Sequence, residues 1–195
     1  MKMIGITGGV GSGKSRVLLF LEEEYQAVIC QADQVAWKLQ EPGGLCYQEI
    51  VAHFGTKILN NDKTINRKVL GQIVFGDETQ LLVLNAIMHP AVKKEVQRRM
   101  QSEKEKGTRL FVLEAALLIE EHYDEICDEL WYIYTDEQIR RRRLKDSRQY
   151  SDEKIDAIIA SQLPEETFRR RCQRVIDNSG TFEQTCEQLK EALKI

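Results

Sequence analysis

The residues whose types and spacing most clearly predict chemistry lie near the start of the 195-residue chain. Residues 8 to 15 read Gly-Gly-Val-Gly-Ser-Gly-Lys-Ser, the G-x-x-x-x-G-K-[ST] pattern of a phosphate-binding loop. Its glycines let backbone N–H groups approach phosphate oxygens, and a helix that begins in the loop adds the positive end of its dipole. In such loops the lysine, here Lys14, reaches the β- and γ-phosphates, and the hydroxyl of Ser15 binds Mg²⁺. The predicted nucleotide-binding residues are Gly8, Gly9, Val10, Gly11, Ser12, Gly13, Lys14, Ser15 and Arg16.

The elements on either side of this loop have the required types. Residues 3 to 7, Met-Ile-Gly-Ile-Thr, form a short apolar run typical of a buried parallel strand. Residues 14 to 24 contain no helix breaker and carry an apolar block, which predicts a mostly buried helix. Because strand, glycine loop and helix follow in this order, we expect a working phosphate site.

An acidic residue follows the predicted second strand, residues 27 to 30. Asp33 has two interpretations, which are compatible. It can be the N-cap of the helix over residues 34 to 39, since Asp is a preferred capping residue. It can also be a functional acid at the carboxyl end of a strand, where open α/β sheets bind their ligands.

The middle of the chain predicts helices and loops without a convincing strand. Residues 81 to 88 form an apolar helical face, and we expect His89-Pro90 to interrupt it, because the residue before a proline is disfavoured in the α region. A long polar helix is predicted from Ala91 to Lys106, with Gly107 as its stop. About 60 residues without a strand indicate an inserted helical subdomain.

Two further strands frame the functional half of the core. Leu110-Phe111-Val112-Leu113-Glu114 ends in an acid that could hold Mg²⁺ directly or through water. A fourth strand is predicted at residues 130 to 134, with Thr135 as cap of the following helix. Residues 175 to 177 predict the fifth strand, and residues 181 to 193 the closing helix.

Four consecutive arginines, residues 140 to 143, lie on the predicted helix after the fourth strand. Successive residues point to all sides of a helix, so the four cannot share one ligand, and Arg141 can pair with Glu137 at i,i+4. Residues 137 to 174 hold 11 Lys/Arg against 7 Asp/Glu, and a basic helical hairpin of this kind is typical of a lid that excludes water. We expect one or two of the four to contact phosphate, and Arg148 lies beyond the run in a looser segment.

Composition limits the classes of function. The formal net charge of −3 argues against a general nucleic-acid-binding protein, and no run approaches the roughly 20 apolar residues of a membrane helix. No signal peptide is visible before the first strand, and the five scattered cysteines are typical of free thiols in a reducing compartment. We therefore expect a cytoplasmic protein with no membrane, nucleic-acid or obligate protein partner.

Longer strings resemble the dephospho-CoA kinase family over nearly the whole chain. They are Ile6-Thr7 with the loop, Ala32-Asp33, Asn85-Ala86-Ile87-Met88-His89-Pro90-Ala91-Val92, Glu114 with Leu117-Leu118-Ile119-Glu120, Ser161-Gln162, and Val175-Ile176-Asp177-Asn178-Ser179-Gly180. The loop is shared with many kinases, whereas the Asn-Ala-x-x-His-Pro and Ile-Asp-Asn-x-Gly strings are more specific. The chain departs from the family at Gln31, where Asp is frequent, at Ala116 in place of Pro, and in the spacing around Arg141 and Arg148.

The resemblance implies that ATP, with Mg²⁺, phosphorylates the ribose 3′-hydroxyl of 3′-dephospho-CoA, the last step of coenzyme A synthesis. It implies an α/β fold: a three-layer, five-stranded parallel sheet with the P-loop, of the nucleoside monophosphate kinase type. The core would take about residues 1–33, 108–136 and 174–195, a helical CoA-binding insertion about 34–107, and a lid about 137–173. The implied catalytic residues are Lys14, Asp33 as the base, and the lid arginines, for which we expect Arg141 and Arg148 to neutralise charge on the transferring phosphoryl group. Asn178 and Gly180 would lie at the adenine site, and the remaining substrate contacts would be Thr7, Asp33, His89, Glu114, Leu117 and Leu118.

Several alternatives stay open at this stage. His89 also has a structural interpretation, as a helix-end histidine beside proline. A kinase for another small acceptor, such as a nucleoside monophosphate, would share the core but not the Asn-Ala-x-x-His-Pro string. A GTPase-type switch is disfavoured because no Asn-Lys-x-Asp motif is present. A catalytically reduced relative that binds CoA-like ligands is the third alternative, since Gln31 replaces an acid.

Overall fold

The computed structural model of the protein describes residues 1–194. Its strands are β1 Lys2–Thr7, β2 Val28–Gln31, β3 Leu110–Glu114, β4 Glu129–Tyr134 and β5 Arg174–Asp177. Its α-helices are α1 Lys14–Tyr25, α2 Ala32–Leu39, α3 Tyr47–Phe54, α4 Arg67–Gly76, α5 Glu78–Glu105, α6 Glu137–Arg148, α7 Asp152–Ala160, α8 Glu165–Arg171 and α9 Phe182–Leu193. Short 3₁₀ turns lie at Thr56–Ile58 and Tyr123–Glu125. Within residues 1–194, no helix has both the length and the apolar character needed to cross a membrane.

The strands form one sheet in the order β2-β3-β1-β4-β5. β1 pairs in parallel with β3, from Lys2 opposite Leu110 to Ile6 opposite Glu114, and with β4 on its other side. β4 in turn pairs in parallel with β5. Residues 3 to 7 of β1 are all buried, as expected for a central strand covered on both faces. The predicted α/β fold with a five-stranded parallel sheet is confirmed.

Helices cover both faces of this sheet. On one face, side chains of β1, β3, β4 and β5 pack against apolar residues of α1 and α9, among which Leu21 and Leu189 are fully buried. On the other face, the ring of Phe168 in α8 stacks on Tyr132 of β4, with ring centroids 4.8 Å apart. This packing fixes the carboxyl ends of the strands, where the glycine loop begins.

An ion-pair network joins three strands at the amino end of the sheet. The Glu129 carboxylate lies 3.2 Å from Lys2 Nζ and 3.0 Å from Arg174 Nε, and it accepts a 2.9 Å hydrogen bond from Trp131 Nε1. Burial alone would raise the pKa of this carboxyl, but the hydrogen bonds from Trp131, Arg174 and Lys2 outweigh it and lower the pKa to about 2. The ionised carboxylate therefore stabilises the folded state at neutral pH.

The described chain divides into two compact units. The first contains Met1–Ile29 and the chain from Glu103 onward, and it includes the glycine loop and most of the sheet. The second is Cys30–Ser102 and contains α2, α3, α4 and most of α5. Its apolar core includes the fully buried Ile50 and Ile58. An isolated antiparallel bridge between Leu59 and Ile65 closes its one short hairpin-like segment.

The prediction that His89-Pro90 interrupts a helix is wrong. Helix α5 runs from Glu78 to Glu105 with Pro90 inside it. An interior proline removes one backbone hydrogen bond and costs about 3 kcal/mol. Met88, Val92 and Val96 recur every four residues and are buried, and their packing offsets that cost. His89 therefore lies in the middle of a helix and not at its end.

Two predicted N-caps are also wrong. Helix α2 begins at Ala32 with Gln31 in the N-cap position, which places Asp33 in the first helical turn. Helix α6 is capped by Asp136, whose carboxylate accepts hydrogen bonds from two backbone N–H groups of the first turn, so Thr135 has another role. Arg148 is the last residue of α6 and does not lie in a looser segment.

Candidate active site

The glycine loop joins β1 to α1, and its backbone requires glycine at particular positions. Gly13 has φ of +84°, in the left-handed region. A Cβ on Gly13 would contact Asn178 Nδ2, and a Cβ on Gly9 would contact the Arg140 guanidinium. Each neighbour lies so close to its glycine that a residue with a side chain could not take that position unless the neighbour moved. The loop is therefore enclosed from outside by residues distant in sequence.

The side chain of Lys14 lies along the inside of the loop. Its ammonium group donates a 2.6 Å hydrogen bond to the Gly8 carbonyl and lies 3.8 Å from the Glu114 carboxylate at the end of β3. Both charged side chains are mostly buried, with 15% and 12% of their surface exposed. The positive charge therefore lies within the loop, beside the acid at the end of β3.

Two hydroxyl groups beside the loop have no protein partner. Among residues 1–194, the buried Thr7 Oγ1 and Ser12 Oγ make no hydrogen bond. Most buried hydroxyls are satisfied, and exceptions call for an explanation such as a bound ligand or ion. Ser15, by contrast, is exposed at the start of α1. The structure thus brings together Thr7, Ser12, Lys14 and Glu114.

Two arginines of α6 contact the loop backbone, and neither was singled out from the sequence. Arg140 Nε donates to the Val10 carbonyl at 3.0 Å, and the same guanidinium donates to Gln162 Oε1 at 2.6 Å. Arg143 lies one helical turn further on, with a 3.4 Å contact to the Ser12 carbonyl. Their i,i+3 spacing places both on one face of α6, which was the available sequence signal.

The two arginines predicted to act on phosphate have other contacts. Arg141 pairs with Glu137 at 2.8 Å, as predicted, and with Asp156 of α7 at 2.6 Å. The hydrogen bond that Arg141 donates to Glu137, followed by the one to Asp156, raises the pKa of Arg141 above the ordinary value for arginine. Arg148 is exposed, and its guanidinium lies 6.0 Å from the Tyr150 ring centroid. Neither residue touches the loop in this arrangement.

Asn178 lies against the loop with both polar atoms of its side chain engaged. Its Nδ2 donates to the Ser12 carbonyl at 2.7 Å, and its Oδ1 accepts from Thr185 Oγ1 at 2.9 Å. Thr135 Oγ1 lies 3.0 Å from the same Ser12 carbonyl. Gly180 is exposed and follows two residues later. Asn178 thus contacts the loop itself.

Three other predicted site residues of the first unit, Leu117, Leu118 and Arg16, differ in how accessible they are to a ligand. Leu118 is fully buried beneath Gly5 of β1, whereas Leu117 is 46% exposed. The Arg16 guanidinium lies 3.9 Å from the Phe182 ring centroid, in a cation–π contact between α1 and α9. Leu117 is therefore the member of this leucine pair that a ligand could reach.

The remaining predicted site residues, Asp33 and His89, lie in the second unit. Asp33 is exposed in α2, and His89 is half-buried in α5. The sequence interpretation missed an exposed aromatic on the same helix as Asp33: Trp37, which lies 4.6 Å beneath the Arg67 guanidinium. This pair lines a cavity of about 280 Å³ together with Gln40, Glu41, Thr64 and Ile65.

A parallel sheet, a glycine loop with its lysine in place, and helices on both faces define a P-loop kinase-like protein. A solved structure of TT1252 from Thermus thermophilus superposes with a TM-score of 0.81 at 29% identity, covering 98% of this chain and 96% of that one. A dephospho-CoA kinase from Campylobacter jejuni has the same fold, with a TM-score of 0.73 at 24% identity over 100% and 98% of the two chains.

The family model described as dephospho-CoA kinase matches residues 2–184. The dephospho-CoA kinase of Halalkalibacterium halodurans is 43% identical over 194 residues, which are 98% of this chain and 95% of that protein. The chain belongs to the dephospho-CoA kinase family. The family, the enzyme class and the fold predicted from the sequence are confirmed.

Proposed function

We propose that this protein transfers the γ-phosphoryl group of ATP to the ribose 3′-hydroxyl of 3′-dephospho-CoA, giving coenzyme A and ADP in the last step of coenzyme A synthesis. The observation that carries the proposal is a complete phosphate-binding loop inside a family match over residues 2–184. Five cysteines outside any disulfide are consistent with action in the cytoplasm.

The loop supplies the nucleotide site. Backbone N–H groups of residues 8 to 15 would hold the β-phosphate, with the dipole of α1 behind them. Lys14 would exchange the Gly8 carbonyl for phosphate oxygens, a movement within the reach of its side chain. Because phosphoryl transfer demands positioning and charge neutralisation more than covalent chemistry, this cation is the indispensable part.

The residues present fit a Mg²⁺ ion. The orphaned hydroxyl of Thr7, the exposed hydroxyl of Ser15 and the carboxylate of Glu114 are hard oxygen donors near the loop. No group of three or more His, Cys, Asp or Glu suited to a metal exists within residues 1–194. This is consistent with Mg²⁺, which is usually held by one or two carboxylates together with substrate phosphates and water. When bound, Mg²⁺ would neutralise phosphate charge, with Ser15 as direct ligand and Glu114 direct or through water.

The second unit would hold the acceptor. Asp33 would accept the proton of the attacking hydroxyl, and its exposure leaves the carboxylate accessible to substrate. His89 and Leu117 remain proposed substrate contacts. The cavity at Trp37 and Arg67 supports acceptor binding in this unit, because an exposed indole with a guanidinium suits an aromatic base and a phosphate.

Helices α6 to α8, within the proposed lid at about 137–173, would close over the nucleotide. Arg141 and Arg148 would neutralise the transferring group, for which Arg141 must exchange Glu137 and Asp156 for phosphate. Arg140, already on the loop, is the competing choice for this role. Lys145 pairs with Asp152 of α7, and this ion pair would keep α6 and α7 joined when Arg141 turns to phosphate.

The test is turnover of Mg-ATP by the purified protein with dephospho-CoA and with a panel of nucleoside monophosphates. Dephospho-CoA should be the preferred acceptor, and Lys14→Ala should lower kcat by more than about ten-fold, because the loop has no second side-chain cation. The same variant controls for contaminating kinases. Equal or faster turnover of a nucleoside monophosphate would contradict the acceptor assignment, and an active Lys14→Ala would contradict the loop as active site.

A further inference from the structure

The Ser12 carbonyl is the convergence point of three side chains from separate elements. Asn178 Nδ2 donates at 2.7 Å, Thr135 Oγ1 at 3.0 Å and Arg143 at a longer 3.4 Å. The Thr135 hydroxyl also lies 2.8 Å from the Tyr134 carbonyl, so it shares its proton. Thr135, Arg143 and Asn178 are called the Ser12 clamp below. Asn178 makes the shortest contact and is its strongest member.

The orientation of the Asn178 amide is determined by its partners. The Ser12 carbonyl can only accept, so the NH₂ group must face it. The amide oxygen then faces Thr185, whose hydroxyl donates at 2.9 Å. Both Asn178 and Thr185 are buried, with 4% and 0% of their surface exposed. Each polar atom of the asparagine side chain therefore already has a protein partner, and the side chain is nearly enclosed.

Fixing the Ser12 carbonyl also fixes the N–H of the next residue. In a planar trans peptide the C=O and N–H point in opposite directions. The carbonyl is held toward the clamp, so the Gly13 N–H points away from it. In phosphate-binding loops, backbone N–H groups on the inner side contact the phosphates.

This peptide needs an external constraint. Gly13 has φ of +84° and no side chain to restrict it, and glycine populates positive and negative φ about equally. Rotation of the Ser12–Gly13 peptide would replace an N–H with a carbonyl oxygen on the inner side, and the oxygen would repel phosphate. Three donors on the carbonyl oppose that rotation.

We infer that the Ser12 clamp orients the Ser12–Gly13 peptide so that the Gly13 N–H donates to the triphosphate, and that Asn178 is a positioning residue which acts through the loop. The inference rests on the proposed function for the identity of the nucleotide. It differs from the role that the resemblance implies, in which Asn178 contacts adenine. The two roles make different predictions for a ligand without a base.

The experiment measures the dissociation constants of Mg-ATP and of inorganic tripolyphosphate by calorimetry, with melting temperatures alongside. Asn178→Asp keeps the shape but turns a carboxylate oxygen toward the Ser12 carbonyl. It should weaken the binding of both ligands by the same factor, at least about ten-fold, because the hydrogen bond is lost and repulsion between two oxygen atoms replaces it. Thr135→Val should weaken both by about two- to ten-fold, whereas Thr135→Ser, which retains the hydroxyl, should bind both as the wild type does.

Two further variants keep the test decisive. Thr185→Val removes the donor that orients the Asn178 amide and should weaken tripolyphosphate as well as ATP. Thr108→Val is the matched control, because it loses a 2.7 Å hydrogen bond to Glu103 just before β3. This is the amino end of the strands, whereas the glycine loop follows their carboxyl ends. It should leave both constants unchanged.

Loss of ATP affinity with unchanged tripolyphosphate affinity would assign Asn178 to adenine and overturn the inference. Variants that melt earlier but bind both ligands normally well below the melting temperature would make the clamp purely structural, which also overturns it. If the wild type binds tripolyphosphate but does not phosphorylate dephospho-CoA, the proposed function fails, while the comparison among variants still decides the clamp.

Discussion

Asp33→Asn separates a structural role of this residue from catalysis. The structure removes one complication, because Gln31 and not Asp33 occupies the N-cap position of α2. The side chain is exposed in the first turn, so the substitution leaves packing unchanged. It removes only the negative charge and the capacity to accept a proton from the ribose hydroxyl.

The two roles predict effects of very different size. A carboxylate in the first turn of a helix is worth about 0.3–1 kcal/mol and less when exposed to salt. For a protein of this length that corresponds to a fall of at most about 4 °C in the melting temperature. Loss of a general base lowers kcat by about 10² to 10⁴, which is roughly 3 to 5 kcal/mol in the barrier. No effect on the helix can account for the larger figure.

The assay is kcat with dephospho-CoA, measured with ATP affinity and melting temperature on the same preparation. We expect a fall of at least about 10² in kcat with near-normal ATP binding, because the glycine loop lies in the other unit. Glu49→Gln is the control, since Glu49 is also exposed in the first turn of a second-unit helix. Turnover by Asp33→Asn within about three-fold of the wild type would refute the assignment and redirect the search for the base to Glu114.

Two further predictions follow from charged groups of the first unit. Glu129→Gln should destabilise the protein by roughly 1 to 3 kcal/mol at pH 7. The pKa of Glu129 is lowered to about 2, so its contribution is complete above the unfolded-state pKa and disappears as pH falls toward 2. Thermal melts from about pH 7 to pH 3 should show the gap between variant and wild type narrowing, and a constant gap would disprove the linkage. Arg141→Ala and Arg148→Ala should lower kcat/KM more than Arg142→Ala, an exposed neighbour on α6. If Arg140→Ala has the largest effect of the four, the phosphate role belongs to the arginine that contacts Val10.

The parts of this molecule that could be predicted are those encoded by neighbouring residues. The glycine loop is a continuous pattern, and the apolar runs of β1 and β3 are buried as their composition requires. The stop at Gly107 was also predicted, and helix α5 ends at Glu105, just before it. In each case the local preference and the tertiary environment favour the same conformation.

The errors arise where a local preference is overridden by packing or by a neighbouring residue. Proline is disfavoured in a helix interior. Helix α5 nevertheless continues through Pro90, because Met88 and Val92 on either side of it are buried. Thr135 has good capping chemistry, but Asp136 provides the cap and the threonine hydroxyl turns toward Ser12. The propensity of one residue favours a local conformation, but the packing of the whole helix decides which conformation forms.

The contacts around Ser12 show a different limit of sequence interpretation. Thr135 and Asn178 lie 123 and 166 residues beyond the carbonyl that they contact. A family string can mark Asn178 as important, but it does not say which atoms carry the importance. The hydrogen bonds with Ser12 and Thr185 engage both polar atoms of the amide within the protein. The same residue can therefore be required for ATP binding without touching ATP, and a ligand that lacks adenine distinguishes these two requirements.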